Sequence, residues 1–187
     1  MNLISAQEPK RVELEATDNV VIISGSKTGV FFLLCNLYDF SYYADGEKHL
    51  HFHDIDLMRW PCDLRYSLNE VVLYSVSEAD SSIYRLDKNE LRVEIDNNRH
   101  LKIEAFHNAY LQLWEKIIRS LLEDNKTKEI SLLRDVPEIR IKGNVNNIKI
   151  IALEDQEIPL IELEDIFAEV SNGSIVDFMK KYYENDK

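Results

Sequence analysis

An α+β fold dominated by antiparallel sheet is the architecture this sequence predicts, with about seven to nine strands in hairpins and a meander, one long amphipathic helix packed on them and two short C-terminal helices. Three observations point there. Hydrophobic residues recur with a period of two through most of the chain up to Phe106. The period lengthens to that of a helix between Tyr110 and Leu122. Turn-forming residues punctuate the alternating runs at spacings that suit hairpins.

Arg11 to Ala16 places Val12 and Leu14 on one face, and Asn19 to Ser24 is a short apolar run. Thr17-Asp18-Asn19 between them supplies an opening hairpin. Next, Tyr38–Ala44 and Glu47–His53 flank Asp45-Gly46, a pair suited to a two-residue type I′ turn. That register sets Tyr42 opposite His49, Phe40 opposite His51 and Tyr38 opposite His53. The unbroken run Val30 to Leu34 also permits a helix over 30–43, and Asp45-Gly46 tips the reading toward strands.

Val71 to Val76 reads as a strand and Ser82 to Phe106 as a three-strand meander. Its first turn pairs Leu86 with Leu91 and Tyr84 with Val93. Its second pairs Ile95 with Leu101 and Val93 with Ile103, which keeps the apolar residues on one face. The helix carrying Tyr110, Leu111, Trp114, Ile117, Ile118, Leu121 and Leu122, with Asn108 available as N-cap, is expected to cover that face. Glu138–Lys142 and Asn147–Leu153 read as a further hairpin, and Leu160–Val170 and Ile175–Tyr183 as the two closing helices. No internal repeat is legible.

At 187 residues and 45% hydrophobic content, the chain is expected to form one domain, 1–187, with an acidic, partly helical segment at 154–187. Cys35 and Cys62 lack a C-x-x-C spacing and read as thiols in a reducing compartment. Met1 to Pro9 has no basic flank followed by a long apolar run, and the stretch from Val30 to Cys35 is far too short to span a bilayer. A cytoplasmic protein that does not enter membranes is the expectation. The formal charge of −12 repels nucleic-acid phosphate. Residues 154–187 concentrate it, with ten acidic and three basic side chains.

His49-Leu50-His51-Phe52-His53-Asp54 is the run closest to a chemical motif, because alternate strand residues project together and two histidines so placed can share a metal. Its likeness to the H-x-H-x-D-H signature of metallo-β-lactamase-like hydrolases ends at the inverted His53-Asp54. The register through Asp45-Gly46 also sets aromatic rings, not ligands, opposite the histidines. Val20 to Gly29 imitates a strand entering a phosphate loop, but Ser26 and Val21 stand where that loop needs glycine, so it reads as a polar turn between strands. No G-x-S-x-G is present. No catalytic residue is assigned and no cofactor is expected.

The acidic segment suggests a different role. Glu154, Asp155, Glu157, Glu162, Glu164, Asp165 and Glu169 are interspersed with Ile158, Leu160, Ile161, Leu163 and Ile166, so carboxylates rimming an apolar patch would steer a basic protein partner. A non-catalytic protein-binding domain, an inhibitor of a toxin or nuclease-like partner, is the leading expectation. In size, acidity and lack of motifs the chain resembles the bacterial immunity proteins. The alternatives are a metal-dependent enzyme using His49, His51 and His53 with Asp54 or Asp56, and a small-ligand or scaffold domain using Tyr38, Tyr42, Tyr43 and Trp60.

Overall fold

The computed structural model describes residues 10–17, 19–42, 48–53, 62–77, 85–155 and 158–172. Ten strands and four helices occupy them. The strands are β1 (Lys10–Ala16), β2 (Val20–Ser26), β3 (Lys48–His51), β4 (Cys62–Tyr66), β5 (Glu70–Val76), β6 (Glu90–Ile95), β7 (His100–Phe106), β8 (Lys128–Ser131), β9 (Arg140–Gly143) and β10 (Asn147–Leu153). The helices are α1 (Lys27–Tyr42), α2 (His107–Leu121), the single turn α3 (Leu132–Asp135) and α4 (Leu160–Asn172).

The strands form two mixed five-stranded sheets and not one predominantly antiparallel sheet, which corrects the fold class read from the sequence. The first sheet runs β4-β1-β2-β10-β8 and the second β3-β5-β7-β6-β9. In each, two of the four pairings are parallel: β1 with β4 and β2 with β10 in the first, β5 with β7 and β6 with β9 in the second. The outermost strands are short, four or five residues each.

Helix α1 replaces the expected hairpin around Asp45-Gly46. Its residues from Lys27 to Tyr38 are all buried, so the helix is apolar on every side and carries no periodic stripe to betray it. Ser26 caps its start, the hydroxyl accepting from the Gly29 N–H at 3.2 Å. The buried side chains of Asn36 and Ser41 donate back to the carbonyls of Phe32 and Leu37. The histidine strand β3 pairs instead with β5, and His49 stands opposite Tyr74.

Two further pairings depart from expectation. β9 and β10 exist but lie in different sheets, β9 beside β6 and β10 between β2 and β8. The stretch expected to pair with β6 as the first meander strand lies partly outside the described residues, and Leu86 within it is in no strand. The turn before β7 does give the anticipated register, with Ile95 opposite Leu101 and Val93 opposite Ile103. At the start of α2 the capping position is Phe106, not Asn108, with no side-chain hydrogen bond. The second closing helix, Ile175–Tyr183, lies outside the described residues.

One continuous core joins both sheets to the helices. α1 packs on the first sheet, α2 on the second, and the two helices pack against each other. α2 buries Tyr110, Leu113, Trp114, Ile117, Ile118 and Leu121. The Tyr110 and Trp114 rings stack at 5.9 Å, and the Tyr110 hydroxyl donates to the Ile103 carbonyl at 2.9 Å. α4 seals the far side of α1 with Leu163, Ile166, Phe167 and Val170, and the Phe167 ring meets Tyr38 edge-on at 5.5 Å. Among the described residues no helix is long and apolar enough to cross a membrane.

Candidate functional site

Two surfaces carry concentrated charge. The first is the outward face of the second sheet, where one row of side chains crosses all five strands: His49, Tyr74, Glu104, Arg92 and Lys142, each opposite the next. Such a face ordinarily leaves its charges in water, yet Glu104 is 3% exposed and Glu90, beside the row, is fully buried. Both carboxylates have cations against them. Lys102 Nζ lies 2.6 Å and Arg92 Nη1 3.5 Å from Glu104. Lys142 Nζ lies 2.5 Å and Arg92 Nη2 4.0 Å from Glu90, contacts in which neither Glu90 oxygen meets hydrogen-bond geometry.

Tyr74 and the histidines extend this network toward β3. The Lys102 ammonium sits over the Tyr74 ring, 4.6 Å from its centre. The His49 ring lies 5.8 Å from Tyr74 and 5.1 Å from His51, which in turn lies 5.2 Å from His53. His51 Nδ1 is 2.9 Å from Glu70 Oε1. The histidines of the sequence motif thus contact one another, and His49 contacts Tyr74. Among the described residues no three His, Cys, Asp or Glu side chains converge in an arrangement able to hold a metal. Asp54 and Asp56 lie outside the described residues.

The second surface is the acidic end, where the start of α1, the end of α2, the residues after β10 and α4 meet. Asp155 holds the first turn of α1: its Oδ2 accepts from the Thr28 N–H at 2.8 Å and its Oδ1 from the Thr28 hydroxyl at 2.7 Å. The strand-to-helix junction that imitated a phosphate loop is therefore occupied by a carboxylate of the same chain. It is a junction, not the polar turn between strands expected there. Lys27, almost fully buried, donates to the Asp124 carbonyl. Burial holds the Lys27 ammonium below its ordinary range, against opposing pulls from Asp124, Asp155 and Glu154.

The remaining carboxylates of this end divide by exposure. Glu154 is exposed and its N–H donates to the Thr127 hydroxyl. On α4, Glu164 and Asp165 are exposed, Glu162 and Glu169 are half-buried, and Glu157 lies outside the described residues. The apolar residues among them are not a surface patch. Ile158, Leu163 and Ile166 are buried, whereas Ile161 is 63% exposed on the ridge it forms with Glu164, Asp165 and Ala168. Glu123, Glu164, Leu122, Phe167 and Ala168 line an open groove between the end of α2 and α4. Arg119 also lines the groove, held by Glu115 through two hydrogen bonds of 2.9 and 2.7 Å.

Two of the remaining candidates, Cys35 and Tyr38, belong to the packed core. Cys35 is buried in α1, and that burial, reinforced by Asp39, pushes its thiol well above the ordinary range. Tyr38 is buried, whereas Tyr43 and Trp60 lie outside the described residues. Sequence reasoning passed over Glu90, Arg92, Lys102, Glu104 and Tyr74. Their alternation with core residues marks an outward face, and nothing in sequence signals that part of that face is buried. No family model matches the chain, and comparison with curated proteins and with solved structures finds no match either.

Proposed function

We propose that this chain is a non-catalytic binding domain that holds a basic protein partner at its acidic end, as an inhibitor or immunity protein does, and that it works in the cytoplasm. One observation carries the reading: α4 is anchored by its apolar face while its outward ridge sets Glu164 and Asp165 beside the uncovered Ile161. An exposed apolar side chain flanked by carboxylates supplies contact area and long-range steering together. The net charge of −12 acts in the same direction by raising the encounter rate with a basic surface.

The test is affinity capture with the full chain at low and high salt, beside the double variant Glu164→Lys/Asp165→Lys. A basic protein retained at low salt, released by salt and lost with the variant is the expected result. Retention that ignores both salt and charge reversal would show that binding is centred elsewhere.

A further inference from the structure

The two sheets are the same object met twice. Reading the first as β4-β1-β2-β10-β8 and the second from its other edge as β9-β6-β7-β5-β3, every strand has a counterpart in chain order: β1 with β6, β2 with β7, β3 with β8, β4 with β9 and β5 with β10. Helix α1 follows β2 without a break, and α2 follows β7 in the same way. Directions agree as well, since β1–β2 and β6–β7 are antiparallel, β1–β4 and β6–β9 parallel, β2–β10 and β7–β5 parallel, β10–β8 and β5–β3 antiparallel.

The registers coincide without a slip. Leu14 opposite Ile23 corresponds to Val93 opposite Ile103. Val12 opposite Leu64 corresponds to Leu91 opposite Ile141. Ile23 opposite Ile150 corresponds to Ile103 opposite Leu73, and Ile151 opposite Glu129 to Tyr74 opposite His49. Even loop contacts repeat. The Asn146 N–H donates to the Asn19 carbonyl at 2.7 Å, and the matching Asn69 N–H to the Arg99 carbonyl at 3.0 Å. Asn147 bonds Ser131 at 2.8 Å where the matching Glu70 meets His51 at 2.9 Å.

We infer that residues 10–76 and 90–153 are two copies of one ββαβββ unit, and that the interaction surface of each copy is the other copy. Each unit keeps its first, second and fourth strands in one sheet and sends its third and fifth into the partner's sheet. Separated, β2 would lose β10 and β7 would lose β5, exposing the middle of each sheet as a raw edge. α1 and α2 would lose each other. The copies therefore fold as one body, a strand-exchanged dimer joined by the connection after β5. Only the class of the inward residues is shared. The outward rows have diverged, Glu129, Ile151, Ser24, Glu13 and Arg65 in one sheet against His49, Tyr74, Glu104, Arg92 and Lys142 in the other.

A specific protease site inserted between Asp80 and Ser81 of the full chain tests this directly. After cleavage under native conditions, the two fragments should co-elute at the position of the uncut protein, keep its circular dichroism, and separate only in denaturant. Either fragment eluting alone with native-like dichroism overturns the inference. Hydrogen exchange on the uncut chain decides independently of cleavage. Leu73→Ala, in β5, should reduce protection in β2 and β7 by the same factor, and a loss confined to one sheet or to residues 10–76 overturns it.

Discussion

Asp155 sets both carboxylate oxygens against Thr28, accepting from its backbone N–H at 2.8 Å and from its hydroxyl at 2.7 Å. The contact ties the chain leaving β10 to the helix leaving β2, two elements neighbouring in space and far apart in sequence. Asp155→Ala should lower stability by about 1 to 2 kcal/mol, read as an earlier urea midpoint. Thr28→Val, which keeps the backbone bond, should cost less than Asp155→Ala. Equal losses would show that the hydroxyl carries the contact.

Lys27 links stability to alkaline pH. Its folded-state pKa lies below its ordinary value of 10.5 because burial disfavours the charge. The folded protein therefore releases this proton before the unfolded chain does. The stability tied to this group should rise as pH climbs through the lowered value toward 10.5. Lys27→Met should remove that rise while changing stability at neutral pH by less than about 1 kcal/mol. Urea midpoints measured from pH 7 to 11 on both proteins check the sign.

Asp135 works in the opposite range. Its carboxylate is held below the ordinary value of 3.8, first by the hydrogen bond from Arg134 and then by the Ser131 N–H. That stabilisation is present above the ordinary carboxylate pKa and lost as pH falls through the depressed folded value. Asp135→Asn should flatten the acid limb of the stability profile below about pH 4. An unchanged acid limb would assign it to other carboxylates such as Asp96, also held low by the backbone N–H groups of His100 and Asn98.

Gly143 ends β9 in a sterically constrained backbone conformation. It has a φ of +114°, and a Cβ there would lie 2.0 Å from the Val93 carbonyl oxygen. Backbone, not a movable side chain, is in the way. Gly143→Ala should destabilise by about 2 kcal/mol or more, visible as a lower thermal midpoint.

Glu104 occupies the place that Ser24 holds in the other sheet. Glu104→Ser should strand Lys102 and Arg92 and cost about 1 to 2 kcal/mol, less than a fully buried pair because both cations reach water. A neutral substitution would mean the row contributes nothing to folding.

The elements legible in the sequence are those joined to a chain neighbour by a short turn. Thr17-Asp18-Asn19 and the loop Asn97 to Arg99 yield the β1–β2 and β6–β7 pairings, and the strong periodicity after Tyr110 yields α2. The four parallel pairings bring together strands that are not chain neighbours, with at least one other strand between them, and no local signal encodes them. Local logic instead pairs Glu138–Lys142 with Asn147–Leu153, which the structure places in different sheets. α1 escaped because a helix buried on every side has no polar face to set its period. The acidic residues of the candidate surface were readable as composition. Which of them remain in solvent was not, because Asp155 is drawn into a cap and Ile161 alone of its apolar neighbours is left uncovered by a fold that sequence spacing does not specify.

The short outermost strands have a bearing on solubility at high concentration. A growing intermolecular sheet must recruit an open edge, and the four edges here offer runs of four or five residues bearing charged or histidine side chains, among them Arg65, Glu129, His49 and Lys142. Such edges are poor templates for another chain. The long apolar strands β2, β5, β7 and β10, which would be good templates, each lie between two partners. Aggregation of this protein should therefore track unfolding of the sheets, not association of intact molecules.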